Sequence, residues 1–441
     1  MIFGYDDILK LGGSQHYRPN GWGGKVFKDV ESLKELDPYH FLFEKKIKHD
    51  VIKFEKDLCS SLIKEQKNFV YPIMMKQKSD LKSLSNDSFI SIPQEVVDYV
   101  RMGAAKFVIF YPLEGDFDCE SDIDNLNNFT TKHELLYKDV YFVNNNLKLE
   151  STISQNSIKF FFKIINFNYF LSNPWFIEED ISDLSMQNFF QQDIDRKIKY
   201  VTTYKKAKKF ISLNRRPRKH RVILFTEVMK TPELEKNFFM SMGSEELESG
   251  EVKNKNVWKS YYYSMIGNSY KFNKSSGIEF LENYDIKDTK FIDANPEFNL
   301  AFNLNETLQL NSFVNVVTET LYSKDQIFLS EKIFKPIYTA QPFIVLGNPN
   351  TLTKLKELGF KTFDKWWDES YDNEIDFQKR LEKIMEVIFE INSKSHDELL
   401  DITREMEDVL THNYNNFIET CKTEMLKLKS LLGKNFNKEI H

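Results

Sequence analysis

The chain has 441 residues, enough for two or three domains, and its 41% hydrophobic and 29% charged content is that of a soluble globular protein with a Phe-rich core. A formal net charge of −6 argues against nucleic acid or an anionic membrane as the partner of the surface as a whole, so any anion site must be a local cluster of positive charge. Three dispersed cysteines, Cys59, Cys119 and Cys421, argue against a disulfide framework and a thiolate zinc site, and the histidines show no HExxH spacing.

The start, MIFGYDDILKLGG, lacks a basic region followed by a long apolar run. Residues 1–80 read as an extension in which a Gly-rich loop is followed by a charged helical stretch around FEKKIKHDVIKFEKDL. Residues 81–205 read as a first α/β domain. PQEVVDYVRMG is a helix with Pro in its first turn, AAKFVIFYPLEGD a buried strand running into an acidic loop, and VYFV and IKFFFKI are further strands. The apolar run IKFFFKIINFNYFL is broken by Lys163, Asn166 and Asn168, too short and polar to span a bilayer, so a cytoplasmic protein without a membrane span is expected. DIDRKIKYVTTYKKAKK, 193–209, is an amphipathic helix.

Residues 206–390 read as a second α/β domain. FISL is a strand, NRRPR a loop, HRVILFTEVMK a helix and FVNVV another strand. A helix over 330–340, the strand PFIVL and the helix TLTKLKELGF, ended by Gly359 as its C′ residue, follow. Residues 391–441 form a helical tail. Alternation of helix and strand predicts two Rossmann-like α/β domains with mostly parallel sheets, whose ligands sit beyond the carboxyl ends of the strands.

Four constellations lie at such ends. In SLNRRPRKHR, Asn214, Arg215, Arg216, Arg218 and Arg221 follow a buried strand; guanidinium groups bind phosphate bidentately and Pro217 stiffens the loop, although a solvated basic turn has the same composition. Ser330 caps a helix start that carries Glu331, Lys332 and Lys335. Unpaired N–H groups and a lysine there suit phosphate, and Glu331 suits ribose or sugar hydroxyls. The bland alternative is an exposed helix with a Glu331–Lys335 pair worth roughly 0.3–0.5 kcal/mol. Thr318 and Glu319 end the FVNVV strand and are further hydroxyl-binding candidates. In the first half Glu114 and Asp116 follow a strand, where a carboxylate can act as general base; D-F-D at 116–118 also matches a DxD metal motif, but D-I-D recurs at 122–124 and 193–195, so no metal is assigned.

The two C-terminal constellations resemble the GT-B nucleotide-sugar glycosyltransferases, which are built of two Rossmann-like domains, and among them the α-1,3-fucosyltransferases. That family carries S-N-x-x-x-R-x-x-(x)-R, then Y-(V/I)-T-E-K and a G-x-x-P-(V/I) strand. SLNRRPRKHR stands for the first, and FLSEKIFKPIYTAQPFIVLGNP for the second, with Ser330 in place of Thr and Phe328 in place of Tyr. The tail GFKTFDKWWDESYDNEIDFQKRLEKI is similar to uncharacterised glycosyltransferase-like proteins of phages and marine bacteria. The resemblance covers residues 205–390. It implies that the arginines and Lys332 hold a donor pyrophosphate and that Glu331 meets ribose or sugar hydroxyls.

The expectation is a hexosyl- or fucosyltransferase-like enzyme that moves a sugar from a nucleoside-diphosphate sugar to a glycan or other hydroxyl acceptor, inverting, with no metal or other cofactor. Two rivals stay open: a metal-dependent transferase using Asp116 and Asp118, and a non-catalytic nucleotide- or nucleic-acid-binding protein using the arginine cluster.

Overall fold

A computed structural model describes residues 2–5, 53–56, 59–75, 78–86, 92–111, 119–172, 177, 186–214, 217–242, 255–266, 272–285, 304–322 and 326–438. The chain divides into two compact units, Met1–Asn173 with Lys422–His441, and Pro174–Cys421. Each contains one all-parallel sheet flanked by helices, the α/β class expected.

In the first unit the strands are β1 (Ile2–Tyr5), β2 (Lys53–Lys56), β3 (Phe69–Met74), β4 (Ala105–Tyr111), β5 (Val140–Asn144) and β6 (Lys163–Asn166), in the order β2-β1-β3-β4-β5-β6. All seven residues of β4 are buried, the mark of a strand covered on both faces. Phe107 meets Tyr71 and Phe129 edge-on, with ring centroids 5.7 and 5.6 Å away, so aromatic packing ties β3, β4 and the Cys119–Lys132 helix into one core. Residues 1–80 differ from the expected loop-and-helix extension, since they supply three of the six strands. The charged stretch read as helical contains β2, KFEK. It is an edge strand, where lysine and glutamate are tolerated because one side of the ladder is unpaired.

The second unit holds β7 (Lys208–Asn214), β8 (Phe238–Met242), β9 (Ser312–Thr318) and β10 (Phe343–Leu346), in the order β10-β9-β7-β8. The boundary expected after residue 205 falls earlier, because the Gln187–Thr203 helix belongs to this unit. Its fully buried Lys197 bonds Asp193 at 2.6 Å and lies 3.3 Å over the Tyr338 ring. Tyr414 donates to the same Asp193 carboxylate at 2.7 Å, which fastens the Glu407–Lys438 helix here up to Cys421. On the β10 edge the Val345 N–H, turned away from β9, donates to the Tyr371 hydroxyl at 3.4 Å. The tail forms three helices, Phe377–Ser393, His396–Glu405 and Glu407–Lys438. No helix among the described residues is long and apolar enough to cross a membrane.

Candidate functional site

β7 and β9 are neighbours and run parallel, so Asn214 and Thr318 end them on the same edge of the sheet. The two are joined directly, the Thr318 hydroxyl donating to the Asn214 side-chain oxygen, and Asn214 also reaches Ser212 Oγ at 3.3 Å.

After β7 the chain turns through Pro217 into the Lys219–Met229 helix, with Arg218 at its N-cap. Three side chains from this turn grip the end of β9. Arg218 donates to the Thr320 carbonyl at 3.2 Å, and Arg221 to those of Thr318 and Glu319 at 3.2 and 3.4 Å. His220 lies 2.7 Å from the Glu319 carbonyl through Nε2. A carbonyl can only accept, so Nε2 carries the proton and Nδ1 is left as a buried acceptor with no hydrogen-bond partner. Complete burial, with Arg221, Arg218 and Arg380 nearby, holds the His220 pKa well below the ordinary histidine range, so the ring is neutral. It stacks on Tyr322 at 4.4 Å.

The Ser330 segment meets the same strand end through Glu319, which is 1% exposed. Its carboxylate accepts from Ser330 N at 3.2 Å, Ser330 Oγ at 2.6 Å and Thr320 N at 3.3 Å. Glu319 was expected to face a sugar or ribose; both its oxygens are instead taken by the protein, because the loop returning from β9 delivers Ser330 onto them. Ser330 caps the Glu331–Tyr338 helix as expected, accepting from Lys332 N at 3.3 Å.

Lys332 Nζ bonds Glu331 Oε1 at 2.7 Å and Ser330 Oγ at 3.2 Å, so Glu331 pairs with its chain neighbour and not in the i,i+4 pair with Lys335 that an exposed helix would show. Glu331 is buried, and its Oε2 has no hydrogen-bond partner. Burial opposes its ionisation, but Lys332 and Lys335 prevail and hold its pKa below the ordinary range. Glu319 moves the other way: burial, with Glu331 beside it, raises its pKa against the pull of Lys332 and Ser330. Two adjacent carboxyls driven apart in this way give one reliable anion and one group that holds a proton more readily.

The helix start after β10 is already filled. Asp372 accepts from Leu352 N at 2.8 Å and Thr353 N at 3.0 Å at the head of the Thr351–Glu357 helix, leaving no N–H pair there for an anion. Of the expected site residues, Asn214, Arg218, Arg221, Thr318, Glu319, Ser330, Glu331 and Lys332 are linked into one hydrogen-bonded group, with Lys335 on the adjoining helix turn. Arg215, Arg216, Glu114 and Asp116, with Asp118, lie outside the described residues. Among the described residues no group of three or more His, Cys, Asp or Glu is arranged to hold a metal ion.

Arg380 and Tyr322 were not anticipated. Arg380 is 1% exposed, donates to the Glu374 and Ile375 carbonyls at 2.5 and 3.2 Å, and also donates to the Tyr322 carbonyl, fixing the residue on which His220 stacks. The signal was an arginine on the apolar face of its helix, between Phe377 and Leu381.

No family model and no curated protein matches the chain. Among solved structures, the chain is similar to the catalytic domain of starch synthase IV from Arabidopsis thaliana bound to ADP and acarbose. That likeness has 9% sequence identity and a TM-score of 0.36, covering 94% of this chain and 80% of that one.

Proposed function

We propose that the chain is a glycosyltransferase, moving a sugar from a nucleoside-diphosphate sugar to a hydroxyl acceptor without a metal and with inversion. One observation carries this reading: two basic segments far apart in sequence, 214–221 and 330–335, converge on the carboxyl end of β9, where open parallel sheets take their ligands. A group built only to close the fold has no need of two lysines beside a buried carboxylate with an unpartnered oxygen.

In this reading Lys332, Arg218 and Arg221, with Arg215 and Arg216, stabilise the negative charge that grows on the departing diphosphate. Each charge-assisted hydrogen bond contributes about 1.5–3 kcal/mol. Glu331 Oε2 accepts from a ribose or sugar hydroxyl. Asn214, Thr318, Ser330 and Lys335 hold the shape of the site, and Glu114 or Asp116 removes the proton of the acceptor hydroxyl. Hexosyl or fucosyl transfer is the class that the motifs suggest.

Calorimetric titration with nucleoside diphosphates and with pyrophosphate tests the reading. Glu331→Gln should weaken nucleotide binding and spare pyrophosphate. No binding of any nucleotide would end the proposal. Turnover abolished by EDTA and restored by manganese would replace it with the metal-dependent reading through Asp116 and Asp118.

A further inference from the structure

The first unit carries a surface that the donor reading does not use. Three turns lead into the adjacent parallel strands β4, β5 and β6, so all lie on the edge of the sheet opposite the strand carboxyl ends. Each exposes large apolar side chains: Met102 before β4, 76% exposed, Leu136 and Tyr137 before β5, 58% and 50%, and Phe161 before β6, 47%. The turns are in contact with one another. Arg101 donates to the His133 carbonyl at 2.8 Å and pairs with Glu134 at 3.3 Å, and the Tyr137 and Phe160 rings are 6.2 Å apart. Asn127 spans the base of the third turn, donating to the Lys159 carbonyl and accepting from Phe161 N, which holds Phe161 outward. Scattered apolar residues on a surface need no explanation, but four large ones grouped on one edge do.

Charge says what covers them. The exposed charged side chains of these turns and of the helix ends that lead into them are Arg101, Lys132, Lys138 and Lys159 against Asp98 and Glu134. Both carboxylates pair with Arg101, at 3.2 and 3.3 Å, so the basic excess rests on the three lysines, in a chain whose formal net charge is −6. Asp139 adds nothing outward, since it is buried against Lys106 at 3.2 Å. We propose that this edge of the first unit docks on an anionic lipid bilayer, with Met102, Leu136, Tyr137 and Phe161 entering the headgroup layer and Lys132, Lys138 and Lys159 facing its charge. The pattern of protruding aliphatic and aromatic tips ringed by long basic side chains fits an interface that is apolar below and anionic above. Nucleic acid fits less well, because Met102 and Leu136, the two most exposed, gain nothing from phosphate. Docked in this way, the unit turns the carboxyl edge of its own sheet away from the lipid.

Flotation of the full chain with vesicles decides it. Vesicles of phosphatidylcholine mixed equally with phosphatidylglycerol should carry the protein at low salt, and phosphatidylcholine alone should not. Replacing Leu136 and Tyr137 together by Ser should cut binding by about tenfold or more. Lys138→Gln should cut it about fivefold, the effect of one basic residue near such a surface. All three positions are exposed, and an unchanged thermal midpoint confirms that the variants fold. Absence of flotation with either vesicle overturns the proposal, as does flotation indifferent to the substitutions. So does concentration-dependent self-association lost in the same variants, which would make a second copy the occupant.

Discussion

Lys332→Met tests the electrostatics of the candidate site most directly. Lys332 is the shared cation of two buried carboxyls, bonded to Glu331 and drawing Glu319 toward its charged form. Removing one partner of a fully buried pair costs about 3–5 kcal/mol, and a surface pair is worth about 0–1 kcal/mol. With Lys332 at 23% and Glu331 at 9% exposure, the pair lies between these limits, and a loss of about 2 kcal/mol is expected near pH 7. Because Glu331 has a lowered pKa in the folded chain, its stabilising contribution is present above its unfolded value, near 4.5, and is lost as pH falls through the folded value. In the variant Glu331 has lost that partner and takes up a proton more readily, so the gap between variant and parent is widest near neutrality and closes in acid. Hydrogen exchange at the amides of Ser330 and Lys335 reads the local opening of this helix start. A loss of about 2 kcal/mol makes exchange about thirtyfold faster. A change under about twofold at pH 7, or a gap of equal size at pH 4, would refute the account of Lys332 as the counter-charge.

The neutral, buried His220 binds fewer protons than its unfolded counterpart below pH 6.5, so stability falls as pH drops below that value; His220→Gln should flatten this slope in thermal melts across pH 5–8. Gly277→Ala sets a Cβ against the Tyr262 ring, inside contact distance, and pushes the phenol off Glu227, so a loss of about 1–3 kcal/mol is expected in the melting of the second unit, and an unchanged midpoint would contradict it. Lys197→Met leaves the buried Asp193 with only Arg196 and Tyr414 and should cost about 3 kcal/mol, read as a lower thermal midpoint.

The strands that could be read from the sequence are buried along most or all of their length: β4, β5, β7, β9 and β10 are rich in aromatic, aliphatic and β-branched residues, with Lys106, Ser212 and Asn315 as interruptions. β1, β2, β3 and β8 were missed. β1, β2 and β8 are short, and β2 and β8 lie at sheet edges, where Lys53, Glu55 or the Met-Ser pair of FFMSM blurs the alternation; β3 carries Pro72, a residue that argues against a strand paired on both sides. In the site, the placement of Asn214, Thr318, Ser330 and Lys332 followed from their positions at strand and helix ends, which local pattern encodes. The inward turn of Glu319 did not follow, because it depends on where a loop sets Ser330, eleven positions later. Arg380 stands on the apolar face of its helix, but its role did not follow from the helix alone, because its partners come from the Glu374 turn and Tyr322. The net charge of −6, a property of the whole surface, hid the local excess of lysine on the turns before β4, β5 and β6.

The phenol of Tyr371 has a consequence beyond the chain it belongs to. A bare outer strand is an invitation: any extended peptide that finds its row of amides can lengthen the sheet, and identical copies find each other first. Phe343, Ile344, Val345 and Leu346 are the kind of segment most exposed to that fate, and the outward Val345 amide is already engaged by a hydroxyl of its own molecule. All four residues are buried, so the segment that carries Tyr371 covers this edge against other copies, and its hydroxyl gives the outward Val345 amide a partner that the cover would otherwise deny it; Tyr371→Phe would strand that amide while leaving the aromatic ring to fill its place.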